Sequence, residues 1–268
     1  MLNICMLEKN MVDALTHSTH PLHSSVEIIG SQSSQPTMPS PSDLHHSQWQ
    51  SLPSLLEHRV LARFDQDLCT NRHDIDARAM CYGLALNWLE RIKHHGAHAS
   101  QPAATERMNY LSSFEGVVHS RIIHNFYRHD HASQMKEAIA EGDIIKASLA
   151  GTNSVIEAAA YKDIHLKPVL QNQVTEALPF LMLDMPDNGP AYDTFQTGLS
   201  SVKQGIITIY SDDGAHALAF AESEKDKKLI FEPNHGEFEF HQQDFKAMLN
   251  SIAELVNLPL TGVQIFEG

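Results

Sequence analysis

A thiol, an imidazole and a carboxylate stand in this chain in settings that suit nucleophilic chemistry. Cys81 lies in Arg78-Ala79-Met80-Cys81-Tyr82-Gly83-Leu84-Ala85-Leu86-Asn87-Trp88-Leu89. Cys81, Ala85, Trp88 and Ile92 repeat at helical spacing and predict an amphipathic helix with the cysteine at its first position. A thiol there meets the positive end of the peptide dipoles and unpaired backbone N–H groups, which stabilise thiolate. The same N–H groups can receive the oxyanion of an attacked carbonyl. Against this stands the plainer use of a free cysteine as a small buried apolar residue.

The imidazole is His216, in Gly214-Ala215-His216-Ala217-Leu218-Ala219-Phe220-Ala221. Period-two alternation makes this a strand with His216, Leu218 and Phe220 on one face. The other face is alanine, small enough to sit tightly under a helix. The next strand ends in Phe231-Glu232-Pro233-Asn234-His235-Gly236. If the two strands pair antiparallel, Glu232 or Asn234 approaches His216. Nucleophile, general base and a group fixing the imidazole tautomer are the parts of a thiol protease site. Taken singly, a histidine at a strand start is more often a hydrogen-bonded core or surface residue.

The elements that must position these groups follow from the rest of the pattern. Residues 1–50 are rich in Ser, His, Gln and Pro without apolar periodicity and read as a disordered leader. Their histidines, His17, His20, His23, His45 and His46, have no Cys or carboxylate at metal-ligand spacing. Residues 51–268 read as one domain. A helix is predicted over 52–67, with Cys69 following in a segment without helical onset. Residues 96–102 form a loop, and 103–160 are mostly helical, with Met108, Leu111, Phe114, Val117 and Ile122 in one apolar stripe. His119, His124, His129 and His131 read as polar surface. Ser154 with Glu157 predicts a capping box. Strands follow at 205–210, 215–221, 228–231 and around Phe238 and Phe240, then a helix over 241–255 and a strand at 261–266. Helices followed by an antiparallel meander make the fold class α+β.

Composition narrows the function. With 268 residues, 42% of them hydrophobic, the chain can bury one sizeable core. The formal charge is −14 and no stretch concentrates Lys and Arg, so no nucleic-acid partner is expected. Cys5, Cys69 and Cys81 are too few for a disulfide framework, which points to a reducing compartment. No run nears the roughly 20 apolar residues of a membrane helix, so neither stable membrane insertion nor a Sec signal peptide is expected. No cofactor or metal is expected either.

The two motifs also carry a family resemblance. Met80-Cys81-Tyr82-Gly83-Leu84-Ala85-Leu86-Asn87-Trp88-Leu89, and Gly214-Ala215-His216-Ala217-Leu218-Ala219 followed by Phe231-Glu232-Pro233-Asn234-His235-Gly236-Glu237-Phe238, resemble the signatures of the YopT/AvrPphB family of type III effector cysteine proteases. The resemblance extends over about residues 75 to 268, Ser148 to Tyr161 included. It implies a papain-like fold, a helical N-terminal half packed on a C-terminal antiparallel sheet. It implies Cys81 as nucleophile, His216 as general base and Glu232 as the third member. It further implies a secreted protein, delivered into the host-cell cytoplasm through an N-terminal secretion signal, that cleaves a host protein. Relatives cut prenylated small GTPases or a host kinase, and the acidic charge leans toward a basic target. A secretion chaperone belongs to the same expectation.

Two positions depart from the family pattern. Glu232 stands where the family usually has Asp, so Glu232 or Asn234 orients His216, and we take Glu232. Asp76 stands where the family can use Asn in the oxyanion hole, so Asp76 points away or another donor such as Asn71 serves. The expected function is endoproteolysis by a Cys-His-acid triad. The alternatives are a glutamine deamidase or transglutaminase on the same groups, or a binding protein of this fold with impaired catalysis.

Overall fold

The computed structural model describes residues 52–75, 80–169, 180–181, 199–211, 214–256 and 262–268. The leader, Cys5 and Asp76 lie outside the described residues. From Pro53 the chain makes only a four-residue helix, α1 (Ser54–Glu57), and then extends as β1 (Val60–Arg63). The single helix expected over 52–67 is thereby corrected. Val60 pairs with Phe238 and Arg63 with Gly236, so the edge of the distant sheet captures this segment and overrides its helical spacing. Gly236 permits the approach: its φ is +121°, and a Cβ there would stand 2.1 Å from the Ala62 carbonyl oxygen. A second correction is α2 (Gln66–Arg72), capped by the Asp65 side chain on the Leu68 N–H, which holds Cys69 in its interior.

The helix expected at the thiol is α3 (Cys81–His95), and it begins on Cys81. Its polar face is confined to the last turn, where Lys93, His94 and His95 are exposed beside the buried Ile92. Tyr82 through Leu89 are all buried, because α3 runs between the sheet and a long helix and is covered on every side for its first two turns. Next come α4 (Gln101–Ser112) and α5 (Phe114–Glu141), separated by Ser113, whose hydroxyl caps α5 on the Gly116 N–H. This break splits the expected apolar stripe. Met108, Leu111 and Val117 are buried, whereas Phe114 and Ile122 are 63% and 47% exposed. The left-handed Gly142 ends α5, and Asp143 caps α6 (Ile144–Ala160) through the Lys146 N–H. Ser154 is therefore a buried mid-helix residue, and the predicted capping box does not form. His124 is buried as well, against the expectation of a polar surface.

α3 is locked to α5 at short range. A Cβ on Gly83 would stand 2.0 Å from the Ser120 carbonyl oxygen. One turn on, Asn87 Nδ2 donates to the Gly116 carbonyl at 3.1 Å and to Ser120 Oγ at 2.8 Å.

The sheet collects the remaining strands: β2 (Lys167–Pro168), β3 (Phe180–Leu181), β4 (Gln204–Ser211), β5 (Gly214–Glu224), β6 (Lys227–Glu232), β7 (Gly236–His241) and β8 (Gly262–Glu267). Their order is β1-β7-β6-β5-β4-β8-β2, with β3 also on β8, and every pair is antiparallel. The strands expected from alternation all form. The final helix opens with a 3-10 turn at Gln242–Asp244 before α7 (Phe245–Leu255). Ala217, Ala219 and Ala221 of β5 share one core with Leu84, Trp88 and Phe231, and the rings of the last two stack at 6.0 Å. The alanine face thus does what its size allowed, letting α3 lie close on the strand. A helical half packed on an antiparallel sheet is the α+β class read from the pattern.

Candidate active site

Cys81 stands at the start of α3, where Met80 offers no side-chain cap and the first ladder bond is Leu84 N–H to the Met80 carbonyl. The early N–H groups are therefore left for other acceptors. One of them, that of Tyr82, donates to the Cys81 sulfur, and the Ala217 N–H does so from β5. The cysteine is half-buried.

His216 sits near the start of β5, opposite Ile209 of β4. The register that sets Ala219 across from Phe231 puts Glu232 diagonally across from His216 on the same face, within reach of a long side chain. His216 Nε2 lies 2.6 Å from Glu232 Oε1. The same imidazole is hydrogen-bonded to Cys81, and with Nε2 on the carboxylate, Nδ1 is the ring nitrogen left for the sulfur. The three residues singled out by type and spacing are thus brought together. Asn234, the other candidate for orienting the imidazole, offers its backbone instead: its N–H donates to both Glu232 oxygens at 3.1 Å. Asn71 is exposed on the last turn of α2.

The electrostatics follow from this packing. Burial pushes the Cys81 thiol up, but the charge and hydrogen bond of His216 and the Ala217 and Tyr82 N–H groups outweigh it, and the net shift is down. Burial disfavours imidazolium at His216. The Cys81 charge and hydrogen bond, followed by those of Glu232, reverse this and raise it to about 10. Burial likewise opposes ionisation of Glu232, yet hydrogen bonds from His216 and His235 and their charges bring it down to about 2. All three shifts act in the same sense, favouring thiolate beside imidazolium and carboxylate. Cys69 shows the contrast: its thiol is driven up by burial, and its Sγ is 3.3 Å from Ser112 Oγ.

Several groups at the site escape a reading of the sequence. His235 Nδ1 lies 2.5 Å from Glu232 Oε2; its only signal is its place in the turn after the carboxylate. Tyr127 of α5 is raised to about 12 by burial and the Cys81 charge, and its ring is 5.0 Å from that of Tyr82. Nothing in the run of the long helix α5 marks that position. Glu237 is fully buried and accepts from Arg107 and from Trp88 Nε1, the latter at 2.7 Å. Among the described residues no group of His, Cys, Asp and Glu is arranged to hold a metal ion.

A thiol at a helix start, paired with a strand histidine across the junction of a helical half and an antiparallel sheet, defines a class: the papain-like cysteine proteases. Comparison with known proteins agrees. Residues 50–260 match the model of the family Peptidase_C58, described as Yersinia/Haemophilus virulence surface antigen, and the chain belongs to that family. A curated relative, the probable cysteine protease avirulence protein AvrPpiC2 of Pseudomonas syringae pv. pisi, is 40% identical over 255 residues, 92% of this chain and 94% of that one. Among solved structures, that of the Pseudomonas avirulence protein AvrPphB matches with a TM-score of 0.51 over 78% of this chain and 97% of that one. At 18% identity this likeness bears on the fold. The protein is a cysteine protease of the YopT/AvrPphB type.

Proposed function

We propose that this protein is an effector endopeptidase that cuts a host protein, with Cys81 as nucleophile, His216 as general base and acid, and Glu232 as the group that orients His216. The observation that carries the reading is the continuous hydrogen-bonded row from Cys81 through His216 to Glu232, with the thiol lowered and the imidazole raised. The thiolate attacks the scissile carbonyl carbon. The oxyanion forms beside the backbone N–H groups at the start of α3, where Met80 supplies no side-chain cap. His216 gives its proton to the leaving amine. A water then enters, His216 takes its proton, and the acyl-enzyme is hydrolysed to acid and regenerated thiolate.

Three further parts belong to the proposal. Residues 1–50 form the leader carrying the secretion signal, residues 51–268 the protease domain, and the site of action is the host-cell cytoplasm. Membership of a virulence family and likeness to an avirulence protein support delivery into a host. No helix among the described residues is long and apolar enough to cross a membrane. The formal charge of −14 favours a substrate with a basic segment, such as a small GTPase tail. The test is to incubate wild-type and Cys81→Ala proteins with plant-cell lysate and compare new N-termini. Cuts made by the wild type alone support the reading. Identical N-termini in both samples, or a gain of about one mass unit at glutamine without chain scission, overturn it.

A further inference from the structure

We propose that His235 is a positioning residue for this reaction: its imidazole grips one oxygen of Glu232 so that the other stays on His216. The inference rests on the triad reading above. A glutamate in the place of an aspartate brings one more rotatable bond, and a carboxylate so mounted turns unless both of its oxygens are held. Here both are. Oε1 is 2.6 Å from His216 Nε2 and Oε2 is 2.5 Å from His235 Nδ1, which must donate because the carboxylate only accepts. The Asn234 N–H is 3.1 Å from each oxygen and does not distinguish them, so the two imidazoles set the rotation of the carboxylate.

His235 is itself fixed. Its N–H donates to the Glu232 carbonyl at 3.1 Å, and its carbonyl accepts the Phe64 N–H at 3.3 Å. The next residue, Gly236, lies against the Ala62 backbone at the edge strand β1. His235 is 9% exposed and sits on a turn fastened at both ends. The charged groups acting on Glu232 are His216 and His235, and those acting on His216 are Cys81 and Glu232. The link of His235 to the sulfur runs through Glu232 and His216.

The test follows alkylation of Cys81 by iodoacetate across the pH range. This anionic reagent reacts fastest while the neighbouring imidazolium keeps its proton, so the alkaline fall in rate reports His216. His235→Phe keeps a ring and removes the donor. The carboxylate then turns, His216 loses part of its support, and the alkaline fall moves to lower pH. Cleavage of a peptide spanning a bond found in the lysate experiment drops about 10- to 100-fold in kcat with KM unchanged, the range expected for one hydrogen bond to a charged group. His235→Asn, whose amide nitrogen falls where Nδ1 stood, restores the alkaline fall and most of the rate. His235→Gln, with its donor displaced by one bond, does not. The Asn and Gln variants keep the test intact if the Phe variant fails to fold. A wild-type pH profile and kcat in His235→Phe, or equal behaviour of the Asn and Gln variants, overturns the inference. Cys81→Ala is run alongside: cleavage by that variant would overturn the triad reading instead, whatever His235 does.

Discussion

Glu232 and Glu237 stand on either side of one β-turn, both fully buried, and yet they belong to different parts of the machine. Glu237 meets a permanent cation. Arg107 grips both of its oxygens, Trp88 donates to one of them, and Arg107 continues to the His98 carbonyl at 3.0 Å. These bonds tie α3 and α4 to β7. Glu232 meets two imidazoles, one of them His216, which exchanges a proton with the sulfur in the proposed reaction, and the row it anchors ends at a half-buried sulfur. Burial of a carboxylate thus does not reveal its task. Whether its partner can titrate, and whether the network ends in the core or at an opening, separates a brace from a reactive group.

Substitutions at the two carboxylates and their partners test this contrast. The largest effect is expected at the open end of the row: Cys81→Ala or His216→Ala should lower cleavage by about 10⁴-fold or more, with circular dichroism close to wild type in both and the urea midpoint lowered in His216→Ala, which leaves buried Glu232 without that partner. The amide exchange separates the carboxylates. Glu232→Gln should lower kcat/KM by roughly 10³-fold, since an amide cannot balance the His216 charge. Glu237→Gln should cost about 3–5 kcal/mol in urea unfolding, because it strips a buried Arg107 of its counter-charge. If Glu237→Gln lowered the activity of folded enzyme as far as Glu232→Gln does, the division between brace and reactive group would fail.

The pH dependence has two edges of opposite sign. The Glu232 carboxyl is depressed from its ordinary 4.5 to about 2, so its stabilisation is present above 4.5 and is lost as the pH falls toward 2. His216 is raised from 6.5 to about 10, so its contribution is complete below 6.5 and is lost as the pH rises toward 10. The expected outcome is maximal stability between pH 4.5 and 6.5, read by urea midpoints across pH. The iodoacetate rate should fall near pH 10 and shift downward in Glu232→Gln. The smallest effect is reserved for Glu232→Asp: cleavage should persist within about tenfold of wild type, since a carboxylate remains and only one methylene of reach is lost. Complete loss would mean that the site needs the longer side chain.

Much of this arrangement is legible in the amino-acid sequence. Strong alternation places β4 to β7, and the antiparallel pairing of β5 with β6 puts Glu232 beside His216, because register follows from local pattern once two strands are joined by a short turn. The helix start at Cys81 is also readable. What escapes is whatever depends on distant partners. Val60–Arg63 carries helical spacing but lies in the sheet because β7, from the far end of the chain, offers it an edge. The burial of α3 on all sides, Tyr127 beside the sulfur and the Arg107–Glu237 pair likewise arise from packing between elements far apart in sequence. His235 is legible as a letter in a motif but not as a ligand of Glu232, since the direction of a turn side chain is set by the strands that clamp the turn.

That clamp limits how far the chain can be shortened from its front. Phe64 N–H bonds the His235 carbonyl, the Arg59 carbonyl accepts from Glu239 N–H, and Ala62 presses on Gly236. A trimmed protein beginning at Leu52 keeps each of these rungs. One beginning at Asp65 retains Cys81, His216 and Glu232 but leaves the turn between β6 and β7 without its outer neighbour. Shortening that stops ahead of β1 therefore spares the turn, whereas a cut within or beyond β1 removes the outer strand that holds it.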